Sequence, residues 1–290
     1  MKTSKVSKIE ALKIYSRRMA RWRSNSSPFL SGDLFSDLAD FSFNQPKWRR
    51  EKFNFHRLKN AQIIFCPSMN LTEFLAEYGK YISAKILIAG NDDTEFHTPL
   101  SNLPNSIKHV YLQNSFISDN KKIFTLPIGI ENFRYGVNGN PKFMNPLNNQ
   151  VKKDKILFGP FSNTHPDRVK IIEMLSKEQG PWEILFERLS VTQYRNIVSN
   201  FKLVGALRGN GIDTHRAWES LYRGIVPVVE KNLWSDSLWY LELPILTVTE
   251  WKPENLISLV NQKKVIEVKP NKLESLWVNW WIERFRKVIS

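Results

Sequence analysis

The sequence predicts an α/β protein made of two parallel-sheet units with a helix at the C-terminal end. Three observations predict it. Short apolar runs of strand length alternate with helical stretches along most of the chain. A polar stretch rich in Asn and Pro, Gly136 to Lys153, interrupts that alternation as a linker does. From Leu273 to Ile289 the apolar residues recur at helical spacing and include Trp277, Trp280, Trp281 and Phe285. The two units are accordingly placed at residues 1–145 and 146–290.

In chain order, residues 1–23 carry eight Lys or Arg against Glu10 alone, with Ile9, Leu12, Tyr15, Met19 and Trp22 at spacings of three and four. That pattern predicts an amphipathic basic helix. It either packs on the body with a solvated face, lies on an anionic membrane surface, or binds nucleic acid. Strands are predicted at Gln62 to Cys66, Lys85 to Ala89, Lys108 to Leu112 and Ile123 to Ile128. Asn70 and Glu73 have capping-box spacing and predict a helix start between the first two. After the linker, strands are predicted at Lys155 to Phe158, Trp182 to Phe186, Phe201 to Val204, Ile225 to Val229 and Ile245 to Thr247. The tryptophan-rich end reads as core or interdomain packing.

Composition narrows the class. The chain has 290 residues, 42% hydrophobic and 24% charged, with 12 Gly and 15 Pro, which excludes collagen-like, coiled-coil and wholly disordered proteins. Its one cysteine, Cys66, excludes an intrachain disulfide, and five scattered histidines predict no dedicated zinc site. A reducing cytoplasm is the simplest compartment. The net charge is +14, half of it in residues 1–23. No apolar run approaches the ~18 residues of a membrane span, and no secretory h-region follows the basic start, so a soluble or peripheral protein is expected.

The segment from Phe201 to Val229 carries the chemistry. A strand leads into Arg208-Gly209-Asn210-Gly211-Ile212-Asp213, a helix follows through Arg223, and a second strand closes the unit. Two glycines around an Asn allow a sharp turn, and Asp213 is the expected N-cap. Backbone amides at a helix start, aided by the dipole and by Arg208, suit a phosphate. His215, Glu219 and Arg223 fall on one helix face. There Glu219 either accepts hydrogen bonds from sugar hydroxyls or pairs with Arg223. A phosphate-binding turn beside a carboxylate suits a nucleoside diphosphate.

These residues also resemble a family. Arg208-Gly209-Asn210-Gly211-Ile212-Asp213-Thr214-His215-Arg216, followed by Trp218-Glu219-Ser220-Leu221-Tyr222-Arg223-Gly224-Ile225-Val226-Pro227-Val228-Val229, is similar to the donor-binding signature of exostosin-like glycosyltransferases. The likeness is to bacterial members of surface-polysaccharide (O-antigen or capsule) pathways. Ile88-Ala89-Gly90-Asn91-Asp92-Asp93, Gln113-Asn114, Leu126-Pro127-Ile128-Gly129-Ile130-Glu131-Asn132 and Ser162-Asn163-Thr164 with Arg168 are similar in order and spacing to that group. One departure is Ala206-Leu207, where many relatives carry Cys-Pro or similar, which alters turn packing.

The resemblance implies a GT-B fold, two Rossmann-like domains facing a central cleft with the donor in the C-terminal one. It also implies inversion at the anomeric carbon with no cofactor and no required metal. UDP is the first choice of nucleotide, and a glycan or lipid-linked glycan the acceptor. Arg208, Thr214 and His215 then contact the diphosphate, with Arg168 as a second clamp or a solvated helix arginine. Glu219 binds the ribose, and Arg216 binds the sugar or buttresses Glu219. Asn163, Asn210, Gly211 and Glu131 complete the substrate site. Asp92, just past a strand end, is the first choice of base over Asp93 and His97. The rival readings are an acidic metal-binding motif of the other glycosyltransferase fold at Asp92-Asp93, a nucleic-acid-binding protein, and a noncatalytic glycan-binding member. No recognised nucleic-acid motif is present.

Overall fold

The computed structural model describes residues 26–43, 53–117, 119, 121–135, 139–146, 153–262 and 268–290. The basic segment 1–23 and its expected helix lie outside the described residues.

The first sheet is wholly parallel, in the order β1 (Phe41–Ser42), β2 (Ile63–Pro67), β3 (Ile86–Gly90), β4 (His109–Leu112) and β5 (Ile123–Thr125). Its central strands are near-continuous apolar runs because both faces are covered. Ile63, Phe65, Ile86, Ile88 and Tyr111 enter one core, whereas Ile64, Cys66, Leu87, Ala89, Val110 and Leu112 enter the other. The second core includes Leu58 of helix α2 (Phe55–Asn60) and Leu71, Phe74 and Leu75 of helix α3 (Leu71–Tyr78). Helix α3 starts where expected, without the capping box. Asn70 is helical, at the end of a tight turn of 3-10 helix, and its side chain caps nothing.

The second sheet is also parallel, in the order β10-β9-β8-β6-β7, with β6 at Lys153–Phe158, β7 at Trp182–Ile184, β8 at Phe201–Gly205, β9 at Val226–Glu230 and β10 at Leu246–Val248. Read from β7, this is the doubly wound order 2-1-3-4-5, whose direction of growth reverses between β6 and β8. Ligands of such sheets bind in the crevice beyond the strand ends at that reversal. The chain therefore has two Rossmann-like α/β units, with strands within a few residues of the predicted positions. The largest difference is β5, which ends at Thr125 rather than Ile128. Pro127 has no N–H for a sheet ladder, and the amides of Ile128 and Ile130 bond instead to Asp213 and to the Leu30 carbonyl.

The C-terminal helix α9 (Val278–Ile289) follows the second sheet in sequence but packs on the first. Trp281, fully buried, meets Phe35 at 5.1 Å and Tyr111 at 5.7 Å, and Phe285 meets Tyr111 at 5.2 Å. Trp277 stands 5.3 Å from Phe29 and 5.5 Å from Tyr222 of the other unit. The tryptophan stripe is thus interdomain packing, each aromatic pair adding about 0.5–1.5 kcal/mol beyond simple burial. Phe35 belongs to helix α1 (Gly32–Leu38), started by a Ser31 hydroxyl that accepts from the Leu34 amide. Tyr222 ties three segments: its hydroxyl accepts from Leu30 N at 3.0 Å and donates to Leu276 O at 2.5 Å. One apolar core runs through both sheets and α9. Among the described residues no helix is long and apolar enough to cross a membrane.

Candidate functional site

The loops beyond the C-terminal ends of the first sheet meet the loop that leaves β8. Arg208 donates through Nη2 to Glu95 Oε1 at 2.7 Å, and Asn210 donates to Asp93 Oδ2 at 3.1 Å. The Asp213 amide donates to Asn114 Oδ1 at 2.9 Å. Gly211 sits so close to Asn114 that a Cβ there would fall 2.6 Å from the Asn114 amide nitrogen. Gly211 thus has a packing reason as well as a turn reason to lack a side chain. Gly129 has a second such reason: its φ is +69°, and a Cβ would lie 2.2 Å from the Leu30 carbonyl.

Helix α6 (His215–Tyr222) opens at this seam, and its N-cap is Thr214, not Asp213. Thr214 is extended and makes no side-chain cap bond, and no side chain among the described residues caps this helix start. Asp213 instead turns its carboxylate inward. It accepts from Ile128 N at 2.8 Å and from Trp218 Nε1 at 2.7 Å, joining the two units in a buried contact. Burial pushes its pKa up to about 7, although these donors and the Thr214 amide pull it down.

Three arginines gather at the reversal between β6 and β8. Arg168, near the start of helix α4 (Pro166–Ser176), reaches across to the β8 loop: it donates to Leu207 O at 2.9 Å, Ser162 O at 2.9 Å and Thr164 Oγ1 at 3.0 Å. Arg216 donates to the Gly159 and Pro160 carbonyls at 3.1 and 3.0 Å. Both lie over the Phe161 ring, at 4.9 and 5.4 Å. These partners are neutral, so the two guanidinium charges are not balanced by the carbonyls and hydroxyl that hold them. Burial, and then the neighbouring Arg216, lowers the Arg168 pKa to about 10. Arg208 and Arg168 each keep a buried Nε–H with no acceptor among the described residues. Concentrated positive charge with unmet donors, beside an uncapped helix start, is the chemistry of an anion site.

The remaining predicted residues divide. His215 Nδ1 donates to the Gly129 carbonyl at 2.9 Å, which leaves Nε2 facing Glu131 at 3.6 Å, so these two predicted residues are brought together. Asn163 lies exposed in the loop after β6, between the Ser162 and Thr164 groups that hold Arg168. Glu219 pairs with Arg223 at 3.0 Å, and Arg223 is only 4% exposed, so the pair is not a surface one. Arg223 continues to the Phe143 carbonyl. The Asp92 carboxylate is engaged by the backbone: Oδ2 accepts from Met69 N at 3.1 Å and Oδ1 from Thr94 N at 3.0 Å. Among the described residues no three His, Cys, Asp or Glu side chains are grouped to hold a metal.

Sequence reasoning passed over Glu95. Its carboxylate lies between Arg208 and His97, the latter at 3.2 Å. Only the neighbouring Asn91-Asp92-Asp93 turn signalled this loop. It also did not foresee that Asn114 and Asp213 would bond across the seam, because partners about a hundred residues apart leave no local pattern.

No family model and no curated protein matches the chain. Among solved structures, the crystal structure of AviGT4, a glycosyltransferase involved in avilamycin A biosynthesis, is similar over 78% of this chain and 84% of that one. The identity is 10% and the TM-score 0.36. The functional reading therefore rests on the chain's own residues.

Proposed function

We propose that the chain is an inverting glycosyltransferase that takes a sugar from a nucleoside-diphosphate sugar, UDP first among the nucleotides, to a glycan or lipid-linked glycan of a bacterial surface polysaccharide. The observation that carries this reading is the charge of Arg168 and Arg216, which no carboxylate among the described residues pairs, beside Arg208, at the strand reversal and at the start of α6. The resemblance of residues 208–229 to the exostosin-like donor signature gives that anion site its nucleotide.

In this reading the acceptor hydroxyl attacks the anomeric carbon as the bond to the diphosphate breaks, and the configuration inverts. Negative charge grows on the departing diphosphate. Arg208, Arg168, Thr214, His215 and the first-turn amides of α6, from His215 onward, stabilise it without a required metal. Asn210 and Asn163 border the phosphates. Glu219, oriented by Arg223, offers its remaining oxygen to the ribose. The base comes from the loop after β3. Asp92 already accepts two backbone amides. Glu95, held by Arg208 and His97, is the alternative we favour, because it is released from Arg208 when a diphosphate takes its place there. A lipid-linked acceptor would bring the enzyme to an anionic membrane surface, where residues 1–23 are the proposed attachment.

A panel of nucleotide sugars, followed by calorimetric binding and by release of the free nucleoside diphosphate, tests the proposal. One member of the panel is expected to bind and to turn over slowly without acceptor. Binding of none, with tight salt-dependent binding of DNA or RNA, would replace it with the nucleic-acid reading.

A further inference from the structure

A second cationic site lies away from the seam. Lys108, His109, Arg284, Lys287 and Val288 line a pocket of about 370 Å³, within the size range of small-molecule sites. Lys108 and His109 stand at the beginning of β4, and the seam loops leave its other end, so the strand itself separates the pocket from the nucleotide site. Arg284 and Lys287 come from α9.

Arg284 is held with unusual care for a residue that is not in an ion pair with any described carboxylate. Its guanidinium lies 4.8 Å from the Phe124 ring, 4.7 Å from Tyr240, 5.2 Å from Trp280 and 5.7 Å from Tyr111. Its Nε donates to the Tyr111 hydroxyl at 2.9 Å. Four rings and one hydrogen bond fix the orientation of the guanidinium, and no described residue accepts from its two terminal nitrogens, which suits them to an outside acceptor. Lys108 reaches the Val288 carbonyl at the end of α9 at 3.3 Å, which partly offsets the negative end of that helix. His109 completes the wall, 4.9 Å from Phe124, with Nδ1 3.3 Å from the Tyr111 hydroxyl. Burial, followed by Arg284 and Lys108, lowers the His109 pKa, and Asp119 opposes them. Three permanent cations thus line the pocket beside this imidazole, and an anion bound among them would offset the effect of Arg284 and Lys108 on it.

We propose that this pocket binds a phosphomonoester or diphosphate group, separately from the nucleotide site. A planar guanidinium flanked by two ammonium groups matches the geometry and charge of phosphate oxygens. The group is carried either by a soluble compound or by a lipid headgroup. The second source has a structural reason, since the buried Tyr240, which touches Arg284, stands 6.3 Å from the ring of Trp239, 59% exposed.

The test follows the His109 ring protons by NMR across pH in the full chain, with inorganic pyrophosphate, with phosphatidylcholine vesicles containing phosphatidic acid, and with phosphatidylcholine vesicles alone. Arg208→Ala serves as the background, so that pyrophosphate bound at the seam does not contribute. The midpoint of His109 is expected to rise by about 1 pH unit or more when the anion binds, and this rise is expected to vanish in Lys108→Gln/Lys287→Gln. A rise with pyrophosphate identifies a soluble phosphate compound as the source. A rise with phosphatidic acid vesicles alone identifies a lipid headgroup. No rise with either probe overturns the proposal, as does an equal rise in the double variant. Arg284→Lys, which keeps the charge and loses the planar fork, is expected to bind at least tenfold more weakly; unchanged affinity contradicts the guanidinium's role.

Discussion

Arg208 of the second unit and Glu95 of the first form an ion pair at 2.7 Å across the seam, with side chains 25% and 17% exposed. The arginine assigned to the leaving group is therefore occupied by a carboxylate of the facing unit until a diphosphate competes for it. Glu95→Gln removes the competitor and the proposed base together. Affinity for the nucleoside diphosphate is expected to rise severalfold while the rate of transfer falls by about 10² or more, the usual contribution of a general base. Calorimetry and turnover measured side by side check this split. Loss of binding together with activity would make Glu95 a structural partner only.

Glu219 tests the ribose assignment. Its pairing with the buried Arg223 means that Glu219→Gln weakens the fold as well as the ligand contact. The melting temperature is expected to fall, and nucleoside diphosphate affinity to fall by the ~1.5–3 kcal/mol of a hydrogen bond to a charged group. A lower melting temperature with unchanged affinity would leave Glu219 as the partner of Arg223 alone.

Asp213 gives the seam a pH dependence. Its pKa of about 7 in the fold compares with about 3.9 for an unperturbed Asp. The folded chain holds this proton more tightly than the unfolded chain. The stability it contributes is present in full below about pH 4 and is lost as the pH rises through about 7. In thermal melts, Asp213→Asn is therefore expected to be the less stable form at low pH and to close on the wild type as the pH rises from 4 to 8. A gap that does not change with pH would contradict this.

The proposed leaving-group stabilisers are arginines, a histidine and helix amides. Transfer is expected to continue in excess chelator at close to its full rate. Complete loss, restored by magnesium or manganese, would favour the rival acidic-motif reading.

Much of the fold was legible because it depends on local pattern. Runs such as Ile86 to Gly90 and Val226 to Val229 are apolar on both faces, which marks a covered parallel strand, and both fall where predicted. β1 was missed because two residues carry no period, and helix α1 because seven residues show barely two turns. Of the site, the Arg208 turn and the α6 start were legible from glycine spacing and an arginine. The cap was not: Asp213 is a strong N-cap by type, yet its carboxylate bonds to the distant Ile128 amide. Glu95 was illegible for the same reason, because its partner Arg208 lies in the other unit.

The most direct measurement of the central claim is Arg208→Ala, assayed for sugar transfer and nucleoside diphosphate binding, with thermal melting as the control for folding. The account predicts a loss of about 10²–10³ in rate, as for removal of one stabiliser of developing charge, together with weaker diphosphate binding and a melting temperature within a few degrees of the wild type. Near-normal turnover in a folded Arg208→Ala protein would contradict the assignment of the β8 loop as the donor site.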